Sequence, residues 1–403
     1  MSASAPSPLL ALDEAQARLI AGVAPLPAEP LALVDACDRW LAQDVIAGRT
    51  QPAADLSAMD GYATRADDQA GPWRVVGESA AGHPWPDALA PGTAVRLSTG
   101  ALMPPGDGAV LLQENALRDG DLLALAGADG PTPRHIRRKG FDFAAGDTVL
   151  AAGTRLSPAR IALGLMSGTS GVLVHRHPRL AIIDSGDELA ADPAAALPHQ
   201  IPASNGAMLA AMTAPLAEAV RLGPVPDRLD ALINAFEAAA GCDVIVTSGG
   251  ASVGDHDLVR PALEAWSAQI DFWRIALRPG KPLLVASKGD RHILGLPGNP
   301  VSSHVTATLF LLPLLRALAG SRQPFPLPVM LPLADPLPAV GNRTEFFRAR
   351  RHGSGIAPIS ERDSSALRAL SQADALIRRE AGSPPAEKGT PVPVYWLENG
   401  GNA

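Results

Sequence analysis

The sequence predicts an α/β-plus-β fold spread over several domains, and three patterns predict it. From residue 179 onward, strand-like and helix-like runs alternate, the signature of a doubly wound sheet with helices on both faces. Between residues 73 and 138, short β-like runs are separated by turn residues, which describes an all-β insert. After Gly320 a proline-rich linker, 324–338, leads into a last group of strand-like runs that reads as a small β domain. A chain of 403 residues is too long for one core and suggests roughly two to four domains.

In chain order, apolar and small residues at helical spacing behind Asp13 and Glu14 predict a helix over 12–23, the two acids favouring its positive end. A second helix is expected over 33–43, with Leu33, Val34, Cys37, Trp40 and Leu41 on a core-packing face. The strands of the insert are expected at 73–76, 94–97, 109–113, 122–125 and 135–138. Ser157 as cap and Pro158 at the first helical position then open a helix over 156–166, where the chain rejoins its first helices. In the α/β part, strands are expected at 180–183, 244–246, 283–286 and 293–294, and helices at 207–219, 228–240, 258–268 and 301–318. The last segment carries strand-like runs at 345–350, 375–378 and 392–397.

Composition excludes several functions. A formal net charge of −7, with no local cluster of Lys and Arg, offers no field for nucleic acid or another polyanion. Cys37 and Cys242 are too few and too far apart for a disulfide framework or a zinc site, which fits a reducing cytosol. The N-terminal residues lack a charged leader before a long apolar core, and the longest apolar run, 305–315, is interrupted by Thr306, Thr308 and Pro313. Neither a secretory signal nor a membrane span is expected, and the chain reads as cytoplasmic. Aromatics are only 4% of residues while Gly numbers 38 and Pro 39, which argues for many turns and short elements.

Chemistry concentrates in loops. The stretch TSGGASVGDHD, 247–257, follows a strand-like run, so its Ser248, Gly249, Gly250, Ser252, Asp255 and Asp257 should lie just beyond that strand's carboxyl end. Its glycines allow close backbone approach and its acids are hard oxygen ligands, which suits a phosphorylated ligand bridged by Mg²⁺; a strand-to-helix turn that needs glycine for geometry is the other reading. DSGDEL, 184–189, and GLPGNPVSS, 295–303, fall at corresponding places; in the latter Asn299 can cap a helix with Pro300 first and Gly298 before it, leaving backbone N–H groups for an oxyanion. RPGKP places Arg278 and Lys281 around a Pro-Gly turn, so both cations can point into one space. DLSAMDGYA, 55–63, STGALMPPGDG, 98–108, and RRKGFDFAAGD, 137–147, are readable as solvated turns or as parts of a polar site.

Taken together, DLSAMDGYA, LSTGALMPPGDGAVLLQE, SGDEL, TSGGASVGDHD, RPGKP and GLPGNPVSS, in this order and spacing across nearly the whole chain, resemble the molybdopterin molybdenumtransferases of the MoeA and gephyrin E-domain type. The resemblance implies an elongated homodimer of four-domain chains. These would be a discontinuous first domain (1–46 and 147–175), a β-rich insert (47–146), a molybdopterin-binding α/β domain similar to the MoaB and MogA type (176–325), and a C-terminal β barrel (326–403). It implies that adenylylated molybdopterin and molybdate are the substrates, that the site lies where one subunit's α/β domain meets the other's insert, and that molybdenum enters the dithiolene as AMP leaves.

Carried over by motif, the catalytic positions would be Asp60, Thr99, Asp142, Glu188 and Asp255, with Glu188 and Asp255 holding Mg²⁺. Substrate contacts would come from Ser248, Gly249, Gly250, Ser252, Asp227, Arg278, Lys281, Pro297, Gly298, Asn299, Pro300, Arg343 and Ser364. The chain departs from the family's usual pattern at Asp184-Ser185 before GDEL, at Phe141 beside Asp142, at Arg278 in place of Lys, and at Asp363 in place of Gly before Ser364.

The physical account agrees with that assignment. Breaking a phosphoanhydride needs its charge neutralised, and Mg²⁺, which keeps waters and takes few protein ligands, suits scattered single carboxylates. Molybdate is a tetrahedral dianion for cations and backbone N–H groups, and its sulfur ligands come from the substrate, so no motif needs cysteine. Adenylyl transfer to molybdopterin is the rival enzymatic reading, but enzymes of that class lack the insert and the last domain. A gephyrin-like scaffold is the non-enzymatic one. The resemblance also implies contacts with the proteins that make molybdopterin and mature molybdoenzymes.

Overall fold

The structure, a computed structural model, describes residues 9–106, 108–249 and 258–397. The chain forms two compact units, one of Met1–Glu29, Asp38–Ala42 and His175–Ala403, the other of Pro30–Cys37 and Gln43–Val174.

In the second unit a six-stranded sheet is ordered Gly108–Leu112, Gly61–Arg65, Thr93–Leu97, Trp73–Ser79, Leu122–Leu125, Ala116–Asp119. The expected insert strands are there, extended by a residue or more at several ends, and the run at 135–138 is reduced to Ile136–Arg137 after a 3₁₀ turn. Gly61 explains itself: paired on both sides, it brings an added Cβ within 2.1 Å of the Leu111 carbonyl oxygen. The helix Pro158–Met166 forms as expected, though the Ser157 side chain makes no capping bond.

The helix expected over 33–43 does not form. Only a 3₁₀ turn, Leu33–Asp35, is present, Asp38 takes a left-handed φ of 65°, and Val34 is 61% exposed. A non-glycine residue at positive φ interrupts any helix, whatever the apolar spacing suggests.

In the first unit a six-stranded sheet runs in the order Glu218–Val225, Arg179–Ser185, Val244–Ser248, Arg291–Leu296, Leu284–Lys288, Gln269–Trp273. The first four strands run parallel and the last two pairings are antiparallel, so Leu284–Lys288 alone runs against the other five and the sheet is mixed. Alternate residues of the central strands feed two cores. Leu180, Ile182, Val244 and Val246 face the helices Leu12–Ile20, Ser204–Thr213 and the run 300–318; Ala181, Ile183 and Ile245 face Leu229–Ala238 and Val259–Ala265. Burial on both faces makes these strands read as continuous apolar runs.

Two edge strands escaped the sequence reading. Glu218–Val225 is exposed over its first four residues and lies where the helix over 207–219 was expected to continue; that helix ends at Thr213, two residues before Pro215, which has no N–H to extend it. Gln269–Trp273 is the other edge.

The helical run Pro300–Leu318 is long and apolar enough to cross a membrane, contrary to the expectation from its interruptions, but 89% of it is buried inside the protein. A π turn at Ala307–Leu311 precedes Pro313. Proline cannot donate to the Leu309 carbonyl, and Gln16 Nε2 fills that place at 2.9 Å.

His304 in this run is half-buried, its Nδ1 has no partner among the described residues, and burial pushes its imidazole down to about 4 from 6.5. The fold therefore holds the neutral ring, and this contribution is complete above pH 6.5 and lost as pH falls toward 4, by at most roughly 3 kcal/mol. Denaturant midpoints across that window should fall with acidification in the wild type and fall less in His304→Leu; equal slopes would remove this assignment.

The last segment closes into a small barrel. Val329–Pro332, Pro391–Trp396, Ala375–Arg379, Thr344–His352 and Gly355–Pro358 pair in that order, and a Leu333 to Ile356 bridge joins the ends. Val329–Pro332 lies inside what the sequence suggested was only linker.

Candidate functional site

In the second unit the structure brings Asp60 and Thr99 together. The turn before Gly61–Arg65 and the turn after Thr93–Leu97 lie side by side because these strands pair, and the Asp60 carboxylate accepts from Thr99 N (2.7 Å) and Thr99 Oγ1 (2.9 Å). Those two bonds, helped by the charge of Arg96, hold the Asp60 carboxyl below its usual range, so it is ionised at neutral pH. Both residues are exposed.

Asp142 is also exposed, its N–H donating to Gln51 O at 3.0 Å. Its loop is anchored by Asp55, which accepts from Arg138 Nη1 and from Lys139 N. Partial burial works against ionisation of Asp55, but these donors outweigh it and lower its carboxyl.

In the first unit three loops converge at the carboxyl edge of the parallel strands. Glu188 is exposed and folds back over Gly186, where a Cβ would come within 2.5 Å of Glu188 Oε2. Asp187 accepts from Asp227 N at 3.1 Å, which places Asp227 beside the DSGDEL loop. Gly249 has φ 106°, and a Cβ there would meet Ser185 O at 2.6 Å; Gly298 packs over its Cα. Gly250, Ser252, Asp255 and Asp257 lie outside the described residues.

Asn205, which no motif singled out, ties these loops. Its Nδ2 donates to the buried Ser248 Oγ (2.9 Å) and to Gly298 O (2.6 Å). Beneath it, burial pushes the Asp184 carboxyl up, opposed by Arg221 at 3.6 Å and the Gly206 N–H. Asn205 sits at the start of a helix of low sequence contrast, so only its tertiary partners mark it.

The loop at 295–303 differs from expectation. Pro297 is buried and Asn299 precedes a helix that opens on Pro300, but the Asn299 side chain does not cap it. Instead Asn299 Nδ2 donates to Ser364 Oγ at 2.9 Å, and Ser364 O accepts the Val301 N–H at 3.1 Å. With no N–H on Pro300, the helix start is less open to an anion than the spacing implies.

Ser364 belongs to a cavity of about 360 Å³ that also takes in Arg278, Lys281, Arg343, Glu345 and Arg362. Arg278 and Lys281 thus share one space, as the Pro-Gly turn suggested. Arg348, buried, donates to the carbonyls of Glu361, Asp363 and Ala366 and so fixes the loop that carries Ser364. Asp363, the departure from the family pattern, turns its carboxylate to Ser365 N and Oγ and leaves Ser364 free for Asn299.

The fold and this surface define a multidomain α/β protein with a cluster of polar residues at its sheet's carboxyl edge and a cationic cavity beside it. Residues 10–168 match the MoeA N-terminal region (domain I and II), 181–317 a probable molybdopterin binding domain, and 330–397 the MoeA C-terminal region (domain IV). The chain belongs to the MoeA family. It is 36% identical over 321 residues to a molybdopterin molybdenumtransferase of Haemophilus influenzae, covering 78% of this chain and 79% of the relative, and 33% identical to that of Bacillus subtilis, covering 92% and 91%. Two crystal structures of the molybdopterin biosynthesis MoeA protein from Pyrococcus horikoshii superpose with TM-scores of 0.82 and 0.77, at 26% and 27% identity, over 96% and 97% of this chain and all of theirs.

Proposed function

We propose that this protein inserts molybdenum from molybdate into adenylylated molybdopterin with Mg²⁺-dependent release of AMP. The observation that carries the reading is the continuity of two chemistries through Asn299. On one side Gly298, Asn205 and Ser248 form a narrow polar edge suited to the pterin's phosphate; on the other Ser364 opens onto a cavity with Arg278, Lys281 and Arg343 suited to an oxyanion.

Among the described residues no group of three or more His, Cys, Asp or Glu could hold a metal ion. Mg²⁺ binds through one or two carboxylates and keeps its waters, and the exposed Glu188 would be such a donor, with Asp255 as its proposed companion. When bound, the ion would neutralise charge on the phosphoanhydride. Asp60 stays a carboxylate and orients the Thr99 hydroxyl, giving a fixed polar pair for the substrate. Asp142 and Asp227 are proposed as further acids of the site. The four-domain division, the homodimer that completes each site across two subunits, and the cytoplasmic location belong to the same reading.

Purified protein supplied with adenylylated molybdopterin, Mg²⁺ and molybdate should release AMP in proportion to molybdate. Substrate binding with no molybdate-dependent AMP would overturn the transferase reading.

A further inference from the structure

The cavity beside Ser364 contains a carboxylate that an oxyanion site does not need. Glu345 is buried, with 8% of its side chain exposed, and each of its oxygens holds one guanidinium: Oε1 accepts from Arg278 Nη1 at 3.3 Å and Oε2 from Arg362 Nη2 at 2.5 Å. Arg362 is further fixed by lying 4.6 Å from the centre of the Phe347 ring. Lys281 and Arg343, in the same cavity, have no ion-pair partner among the described residues. Of the cavity's five cations, Arg278 and Arg362 share the single charge of Glu345, Arg348 is buried and bound to the carbonyls of the loop that carries Glu361 and Asp363, and Lys281 and Arg343 are left for an outside anion.

The placement is built into the fold. Arg278 and Glu345 are register partners where Leu277–Arg278 pairs with Thr344–His352, so the acid is set against the Pro-Gly turn by backbone pairing. Both arginine side chains are about half exposed, so these pairs add little to stability, while a buried carboxylate without them would be costly. The acid's larger effect falls on whatever anion enters the cavity.

We propose that Glu345 is the cavity's internal counter-anion, a specificity-determining residue that occupies the Arg278 and Arg362 forks and keeps oxyanion affinity low, so that a dianion is held mainly by Lys281 and Arg343 and is released readily to its acceptor. This rests on the reading of the cavity as the molybdate side of the site. A purely structural role for Glu345 predicts the opposite sign, since loosening the arginines would weaken or leave unchanged the binding of an anion.

The test is molybdate binding by calorimetry to the full-length wild type and Glu345→Gln, at low and high ionic strength. Glu345→Gln should bind on the order of tenfold more tightly, with a steeper loss of affinity as salt is added. Wild-type binding with no gain in the folded variant overturns the proposal alone; no binding by either protein overturns the oxyanion reading as well. Should Glu345→Gln fail to fold, two exposed replacements decide: Lys281→Gln must lose more affinity than Arg362→Gln, because the latter cation is already paired with Glu345, and an equal or reversed ranking overturns the proposal.

Discussion

Asp60→Ala and Glu188→Ala are each expected to lower molybdate-dependent AMP release by on the order of a hundredfold or more while leaving the melting temperature unchanged. Both side chains are exposed, and neither has core contacts to lose. Asp60 holds the Thr99 N–H and hydroxyl at 2.7 and 2.9 Å, so its removal frees Thr99 to rotate. The Glu188 side chain lies over Gly186 without a hydrogen bond or ion pair to another described residue, so its removal costs the fold little. Steady-state turnover with thermal unfolding on the same samples checks both; activity retained by either folded variant would remove that acid from the site.

Asn205→Ala is expected to raise KM for adenylylated molybdopterin by on the order of tenfold or more, since small displacements of positioning loops carry large kinetic costs. The alanine leaves Ser248 Oγ and Gly298 O without their shared donor and costs roughly 1–3 kcal/mol of stability. Kinetics at saturating molybdate, compared with a denaturant series, separate the effects. A lowered stability with KM unchanged would reduce Asn205 to a structural bridge.

The candidate site was legible where its residues sit in turns whose geometry is local. Asp60 and Thr99 stood out in glycine-containing turns, and the structure pairs them through Thr93–Leu97, which was expected, and Gly61–Arg65, which was not. Glu188, Ser248 and Gly249 lie at or just beyond the ends of strands that read as buried apolar runs, so their place at the sheet's carboxyl edge was readable in the sequence. Arg278 and Lys281 shared a tight turn, and they share a cavity. Asn205 was not legible, because its significance is a pair of hydrogen bonds to residues 43 and 93 positions away. The N-terminal opening of the helix at Pro300 was over-read for a related reason: whether its N–H groups are free depends on Ser364, which comes from another part of the chain.

By itself the sequence determined the buried strands, the β insert, the last β segment and the loops that carry polar chemistry, since burial on both faces, turn residues and period are properties of short stretches. Its motifs, in order and spacing, also determined the family. Tertiary structure decided what depends on partners distant in sequence. It set the edge strands of a mixed sheet, of which Glu218–Val225 is exposed over its first four residues and leaves little apolar pattern, and it replaced the expected helix over 33–43 with a turn containing a left-handed Asp38. It closed the barrel through Leu333 and Ile356, and it placed Glu345 between two arginines, where a residue that reads as one polar position in a strand becomes a counter-charge in a binding cavity.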